Sequence, residues 1–196
     1  MPRIFDNITD HLLSALRETI PLSYRADFCV GYFNLRGWRA LDDCIERFSG
    51  GDGRCARLLV GMVRRPEDDV RALLGLSGDG EIDQGTAVQA KKEIVRRFRD
   101  QLAIGMPSND DESGLRRLAA QIKAKKVVVK LFLHHSLHAK LYLLFREDPV
   151  NPTIGYLGSS NLTMAGLAKQ GELNVDVLDG DACAKLTKWF EERWTD

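Results

Sequence analysis

The chain has 196 residues, 44% of them apolar, and its 28 basic residues balance 28 acidic ones to a net charge of zero. That length can bury one sizeable core, no apolar run reaches the length of a membrane span, and the opening residues, with Arg3, Asp6 and Asp10, lack the apolar stretch of a secretion signal. Four dispersed cysteines, Cys29, Cys44, Cys55 and Cys183, have neither zinc-site pairing nor the density of a disulfide scaffold, so a soluble, cytoplasmic protein with reduced cysteines is expected.

From the amino end, Asp6 or Asn7 is placed to cap a helix that turns Ile8, Leu12, Leu13 and Leu16 inward and ends near Pro21. Asp27 to Phe33 reads as a strand. Arg36 to Phe48 reads as a helix with Trp38, Leu41, Ile45 and Phe48 on one face, broken by Gly50-Gly51-Asp52-Gly53. A strand follows over Arg57 to Val63, and Pro66 with Glu67, Asp68 and Asp69 marks a helix start with acids at the positive end of the dipole. Gly75 to Gly85, with four glycines, reads as a loop. Helices over about Thr86 to Ile104 and Ser113 to Ala124 lead into strands at Val127 to Leu133 and His138 to Phe145. Further strands cover Thr153 to Leu157 and Gly171 to Val177, and a helix closes the chain over Asp181 to Trp194. Strands that first alternate with helices and then cluster predict an α/β fold, a mixed sheet flanked by helices on both faces, as a single domain over residues 1–196.

The chemistry-bearing residues gather in the second half. Taken as one extended segment, Leu131 to Phe145 puts Phe132, His134, Ser136, His138, Lys140 and Tyr142 on one face, because side chains alternate with period two. On such a strand His138 and Lys140 lie about 6 to 7 Å apart and reach one phosphate. Imidazole serves as nucleophile or general acid and an ammonium neutralises phosphate oxygens, so the pair suits phosphoryl transfer without a metal. A His and a Lys two apart are also common on solvated strands; the weight comes from Gly158-Ser159-Ser160-Asn161 at the end of the next strand. Glycine and small hydroxyl residues there let the backbone approach a ligand, and Asn161 can donate an amide hydrogen bond to a phosphate oxygen. Ser160 and Asn161 equally suit an ordinary cap before a helical turn over Leu162 to Ala168. Glu172 shares the polar face of the Gly171 to Val177 strand with Asn174 and Asp176. It either accepts the second ring proton of His138, fixing its tautomer, or is a solvated carboxylate.

In this order His138-Ala139-Lys140, Gly158-Ser159-Ser160-Asn161 and Glu172 resemble the signature of the phospholipase D superfamily, His-x-Lys followed by Gly-Ser-x-Asn and a Glu, over roughly residues 127 to 178. The resemblance implies a metal-independent phosphodiesterase with a phospholipase D-like fold. One His attacks phosphorus to form a phosphohistidine, and a second His from another copy of the motif protonates the leaving oxygen and later activates water. The chain holds one copy, so the resemblance implies a homodimer in which His138, Lys140 and Asn161 of both subunits converge. The family's acid, five residues after the Lys, is replaced by Phe145, as it is absent from some superfamily nucleases, and the stretch from Lys140 to Gly158 is longer than usual. Gly-Ser-Ser-Asn-Leu-Thr with Gly-Glu-Leu-Asn-Val-Asp-Val is similar to the nuclease-like branch, in particular the domain at the start of SNF2-type helicases. The expectation is therefore a DNA nuclease domain forming the N-terminal part of a longer protein, possessing no cofactor; the alternative is an inert DNA-binding or dimerising module.

Charge supports a nucleic-acid partner. From Lys91 to Lys130 there are eleven Lys or Arg against five acids, and on a helix Lys92, Arg96 and Arg99 form a stripe opposite Ile94, Phe98 and Leu102. These three, with Ser159, Ser160 and His134, are the candidate substrate contacts. A solvated helix face explains the stripe equally well from charge alone. Tyr32-Phe33-Asn34 edges the site by the rule that ligands sit at the carboxyl ends of strands, though packing and turn roles are commoner for such residues. A dedicated metal centre is not expected, because His134 and His138 on a strand lie roughly 13 Å apart. No segment is amphipathic enough to argue for membrane docking.

Overall fold

The computed structural model describes residues 2–61, 84–102 and 109–195. Among the described residues seven strands, β1 (Ile4–Phe5), β2 (Ser23–Val30), β3 (Ala56–Gly61), β4 (Val127–Phe132), β5 (Leu141–Arg146), β6 (Thr153–Gly158) and β7 (Asn174–Val177), form one sheet in the order β1-β7-β6-β5-β2-β3-β4. β2, β3 and β4 run parallel, and every other neighbouring pair is antiparallel. The α-helices of the described residues are α1 (Leu12–Thr19), α2 (Leu35–Arg39), α3 (Asp42–Ile45), α4 (Gln84–Leu102), α5 (Asn109–Lys123) and α6 (Gly180–Thr195).

The mixed sheet with helices on both faces is as the sequence predicts. On one face Phe28, Val30, Leu58, Val60, Tyr142 and Leu144 meet Leu12 and Leu16 of α1, Trp38 of α2 and Leu118 of α5, with Phe98 and Leu102 of α4 packed against them. On the other, Cys29, Leu59, Leu143 and Phe145 pack against Phe190 of α6, beside Leu186, Trp189 and Trp194. β5 is therefore covered on both faces, and Leu141 through Phe145 are all buried. Each such Leu or Phe contributes about 1.5–3 kcal/mol by leaving water. An ionic network fastens α6 to the sheet. Fully buried Asp27 accepts from Arg25 and, at 2.7 Å, from Arg57, which also donates to Glu191 of α6 at 3.0 Å. The Arg25 guanidinium lies 4.2 Å above the Phe145 ring.

Several predicted elements differ in the structure. The first predicted strand is β2 and begins at Ser23, four residues early, and α1 begins at Leu12, leaving Ile8 exposed, because Asp6 and Asn7 accept backbone N–H groups of a turn before the helix. The predicted helix from Arg36 to Phe48 is two short helices, since Leu41 leaves helical backbone at φ −127°; its four inward residues are nonetheless buried. The last strand is only Asn174–Val177, and its burial is the reverse of the prediction. Asn174 and Asp176 point into the larger core, where Ser160 and the Arg3 N–H satisfy them, while Leu173 is 64% exposed. The helix start at Pro66 and the glycine loop from Gly75 fall largely outside the described residues.

The single strand from Leu131 to Phe145 is not formed. β4 is an edge strand, and β3 and β2 lie between it and β5. The chain from Phe132 to Leu141 must cross about 14 Å, three strand spacings, over the carboxyl ends of β3 and β2. It does so as irregular backbone over residues 133–140, anchored by buried Leu137. Phe132 and Tyr142 end up in different cores on opposite faces of the sheet, so the predicted polar face does not exist.

Candidate active site

That crossing puts the His-x-Lys segment at one edge of the sheet, above the carboxyl end of β2. Antiparallel pairing brings the second motif to the same edge. Leu141 opposes Leu157, and the Gly158 N–H donates to the Lys140 carbonyl at 3.2 Å. Glycine is required at 158, where a Cβ would lie 2.2 Å from the Leu173 carbonyl oxygen.

Lys140 and Asn161 meet over Gly31. A Cβ built there would stand 3.3 Å from Asn161 Oδ1, 3.7 Å from the Leu137 carbonyl and 3.8 Å from Lys140 Nζ. Having no side chain, Gly31 keeps open a niche walled by an ammonium and a carboxamide, both half-buried. Asn161 is aimed by the backbone. Its Oδ1 accepts the Tyr32 N–H at 2.9 Å, which leaves the amide nitrogen to donate outward. Lys140 Nζ donates to the His138 carbonyl at 2.6 Å, tying the cation to the segment that carries the imidazole. His138 itself is exposed. The charge of Lys140 also reaches below. Burial pushes the Cys29 thiol up to about 12, with Arg193 and Lys140 opposing the rise.

The other predicted site residues divide. Ser159 is exposed, but its hydroxyl donates to Glu172 and accepts the Leu173 N–H at 3.0 Å. Glu172 thus holds Ser159 and not His138, a correction to its predicted role, because it precedes β7 on a loop tied to Asp6 by its N–H. Ser160 is fully buried. Its hydroxyl accepts from Asn174 at 2.8 Å and its carbonyl from Tyr142 at 2.9 Å, so it braces the motif and does not reach substrate. Burial, joined by the negative charge of Glu172, raises the Tyr142 phenol well above its ordinary value and keeps it a donor. His134 is exposed beside Phe132, ring centroids 5.5 Å apart, and shares no strand face with His138. Lys92, Arg96 and Arg99 are exposed on α4. Arg96 pairs with Glu93 at 2.6 Å and holds that carboxyl down to about 2, which weakens the stripe as a phosphate track.

A cleft of about 550 Å³ adjoins the niche, walled by Tyr32, Asn34, Arg36, Asn161, Lys169 and Glu172. It includes the Tyr32-Phe33-Asn34 edge and two cations not singled out in the sequence. Gly31 was also missed, although a glycine between Val30 and Tyr32 at a strand end is the signal that reveals such a floor. Among the described residues no group of three or more His, Cys, Asp or Glu is placed to hold a metal ion, and no helix is long and apolar enough to cross a membrane.

The seven-stranded mixed sheet, with both motifs converging at one edge, defines a phospholipase D-like α/β protein. Residues 82–194, more than half of the chain, match the family described as cardiolipin synthase, PLD-like domain, and the chain belongs to that family within the phospholipase D superfamily. Its fold is similar to NucT from Helicobacter pylori, with TM-score 0.57 and 12% identity, over 100% of this chain and 96% of that one. It is also similar to Nuc from Salmonella typhimurium, a phospholipase D family member, with TM-score 0.54 and 11% identity, over 100% and 94% of the two chains. A comparison with curated proteins finds no match.

Proposed function

We propose that the chain is a metal-independent phosphodiesterase, a DNA nuclease domain that works through a phosphohistidine on His138. The observation that carries this reading is the niche over Gly31, where Lys140 and Asn161 approach the same point from the two motifs. In the proposed reaction Lys140 and Asn161 hold the non-bridging oxygens of the scissile phosphate and offset charge as it develops. A nitrogen of the exposed His138 attacks phosphorus; the P–O bond to the leaving group breaks, and the leaving oxygen takes a proton from the His138 of a second subunit. That second imidazole then removes a proton from water, whose oxygen attacks phosphorus and releases the first His138.

An apolar row supports a homodimer. Leu141, Leu157, Val175 and Ile4 stand side by side across β5, β6, β7 and β1. Leu157 is 40% and Ile4 59% exposed at the sheet edge that bears the motifs, and a second copy packed on them would bring two His138 side chains toward one phosphate. The wording of the second motif and of the β7 strand supports placement of this domain in an SNF2-type helicase.

A second reading, an inert DNA-binding or dimerising module, is favoured by Phe145. The position of the family's acid holds a buried ring beneath Arg25, 4.2 Å from the guanidinium. Cleavage of a labelled DNA oligonucleotide in excess chelator separates the two. The nuclease reading predicts cutting that His138→Ala abolishes; protein that does not cut, with His138→Ala binding DNA as well as the parent, establishes the second.

A further inference from the structure

The cleft beside the niche has more room than a scissile phosphate needs. Its volume of about 550 Å³ matches that of small-molecule sites, about 300–1,000 Å³, which suits a single nucleoside. Asn161 belongs to both niche and cleft, so the cleft opens directly beside the proposed position of the scissile phosphate.

Two of its walls have the chemistry of an unpaired nucleotide. The Tyr32 backbone is held on both sides, its N–H donating to Asn161 Oδ1 at 2.9 Å and its carbonyl accepting the Leu162 N–H at 3.2 Å. Tyr32 is 39% exposed, and among the described residues its ring pairs with no other ring or cation. A fixed backbone beneath a partly exposed phenol makes a stacking platform whose ordering cost is largely met before binding. Lys169, which lines the same cleft, ends the π-helical turn Ala165–Lys169 that follows the second motif. It is exposed, and among the described residues it forms no ion pair. Asn34 accepts the Gly37 N–H at 2.9 Å, which holds the wall between Tyr32 and α2.

We propose that this cleft binds an unpaired nucleobase flanking the scissile phosphate, with Tyr32 as the stacking platform and Lys169 as the contact to the next phosphate, so that the site takes single strands in preference to duplex. The proposal rests on the phosphodiesterase reading for the position of the scissile bond. It differs from that reading in the residues it assigns.

The test is fluorescence anisotropy with a labelled short oligothymidylate and with a duplex of equal length, on the whole chain, with cleavage measured in parallel. Tyr32→Leu should weaken single-strand binding about tenfold, within the range of about five- to 150-fold for loss of one stacked base, while Tyr32→Phe stays within about twofold of the parent. Lys169→Gln should reduce the salt slope of single-strand binding by about 0.7. Duplex binding should change little in any of them. Equal losses on both probes, single-strand binding indifferent to Tyr32→Leu, no oligonucleotide binding at all, or losses confined to anionic phospholipid vesicles would each overturn the assignment. Binding that needs Tyr32 without any cleavage would sink the phosphodiesterase reading and keep the subsite; cleavage with Tyr32-independent binding would sink only the subsite.

Discussion

Replacing Gly31 by alanine adds a single methyl group to the floor of the niche. Built on the present backbone, that carbon stands 3.3 Å from Asn161 Oδ1, tighter than ordinary van der Waals contact, and 3.8 Å from Lys140 Nζ, which it can touch without strain. Asn161 must therefore yield by a few tenths of an ångström. Overpacking of a well-filled site costs about 1–3 kcal/mol, and one tight contact to a half-buried side chain belongs at the lower end. A loss of about 1 kcal/mol in a chain of this size lowers Tm by about 2–4 °C. The effect on catalysis should be larger, because misplacing a positioning group by about 1 Å costs about a hundredfold. Gly31→Ala is expected to fold normally and lose about tenfold in kcat/KM, measured on an oligonucleotide beside a thermal melt. A rate within twofold of the parent would mean that nothing reacts above Gly31. A Tm fall beyond about 10 °C would mean that the position serves the fold, and the reasoning about the niche would fail.

Restoring the family's acid should not restore anything. Phe145→Asp puts a carboxylate into the core beneath α6 and is expected to destabilise by about 3–5 kcal/mol in chemical denaturation, without raising activity. Leu157→Glu, at an exposed position of the apolar row, should leave the thermal melt nearly unchanged while light scattering reports monomer and cleavage falls at least tenfold. Glu191 controls an acid-side effect. Hydrogen bonds from Arg57 and then Arg25 hold its carboxyl below the ordinary 4.5, so its contribution to stability is present above about pH 4.5 and is lost as pH falls through the lower folded value. Glu191→Gln should therefore flatten the pH dependence of the melt below about pH 4.5, and an unchanged slope would remove Glu191 from the network's linkage.

The α/β class, the buried stripe from Trp38 to Phe48 and both motifs are legible in the sequence because they are local. Trp38, Leu41, Ile45 and Phe48 announce one buried stripe even though the helix breaks at Leu41. What periodicity could not reveal was sheet order. Alternation between Leu131 and Phe145 reads as one strand, but β4 and β5 are three places apart in the sheet, and that crossing forces irregular backbone onto His138 and Lys140. Asn174 and Asp176 misled for a related reason. Polar residues on a strand are expected to face water, whereas here partners from other elements, Ser160 and Arg3, satisfy them inside. Neither reading of Glu172, a partner for His138 or a solvated carboxylate, includes Ser159, because motif order carries no distance; the loop before β7 sets Glu172 on Ser159. Lys140 and Asn161 are legible because each lies in a short local motif, His138-Ala139-Lys140 and Gly158-Ser159-Ser160-Asn161, while their meeting point, Gly31, follows a strand more than a hundred residues earlier.

The central claim is that His138 becomes covalently phosphorylated beside Lys140 and Asn161. Rapid acid-free quenching of the protein with a phosphodiester substrate in excess chelator, followed by mass spectrometry of the His138 peptide, tests it most directly. A phosphoryl adduct on His138 that is stable in base, labile in acid and missing from His138→Ala is the predicted result. Hydrolysis that proceeds with no adduct on His138, or that His138→Ala leaves intact, would contradict it.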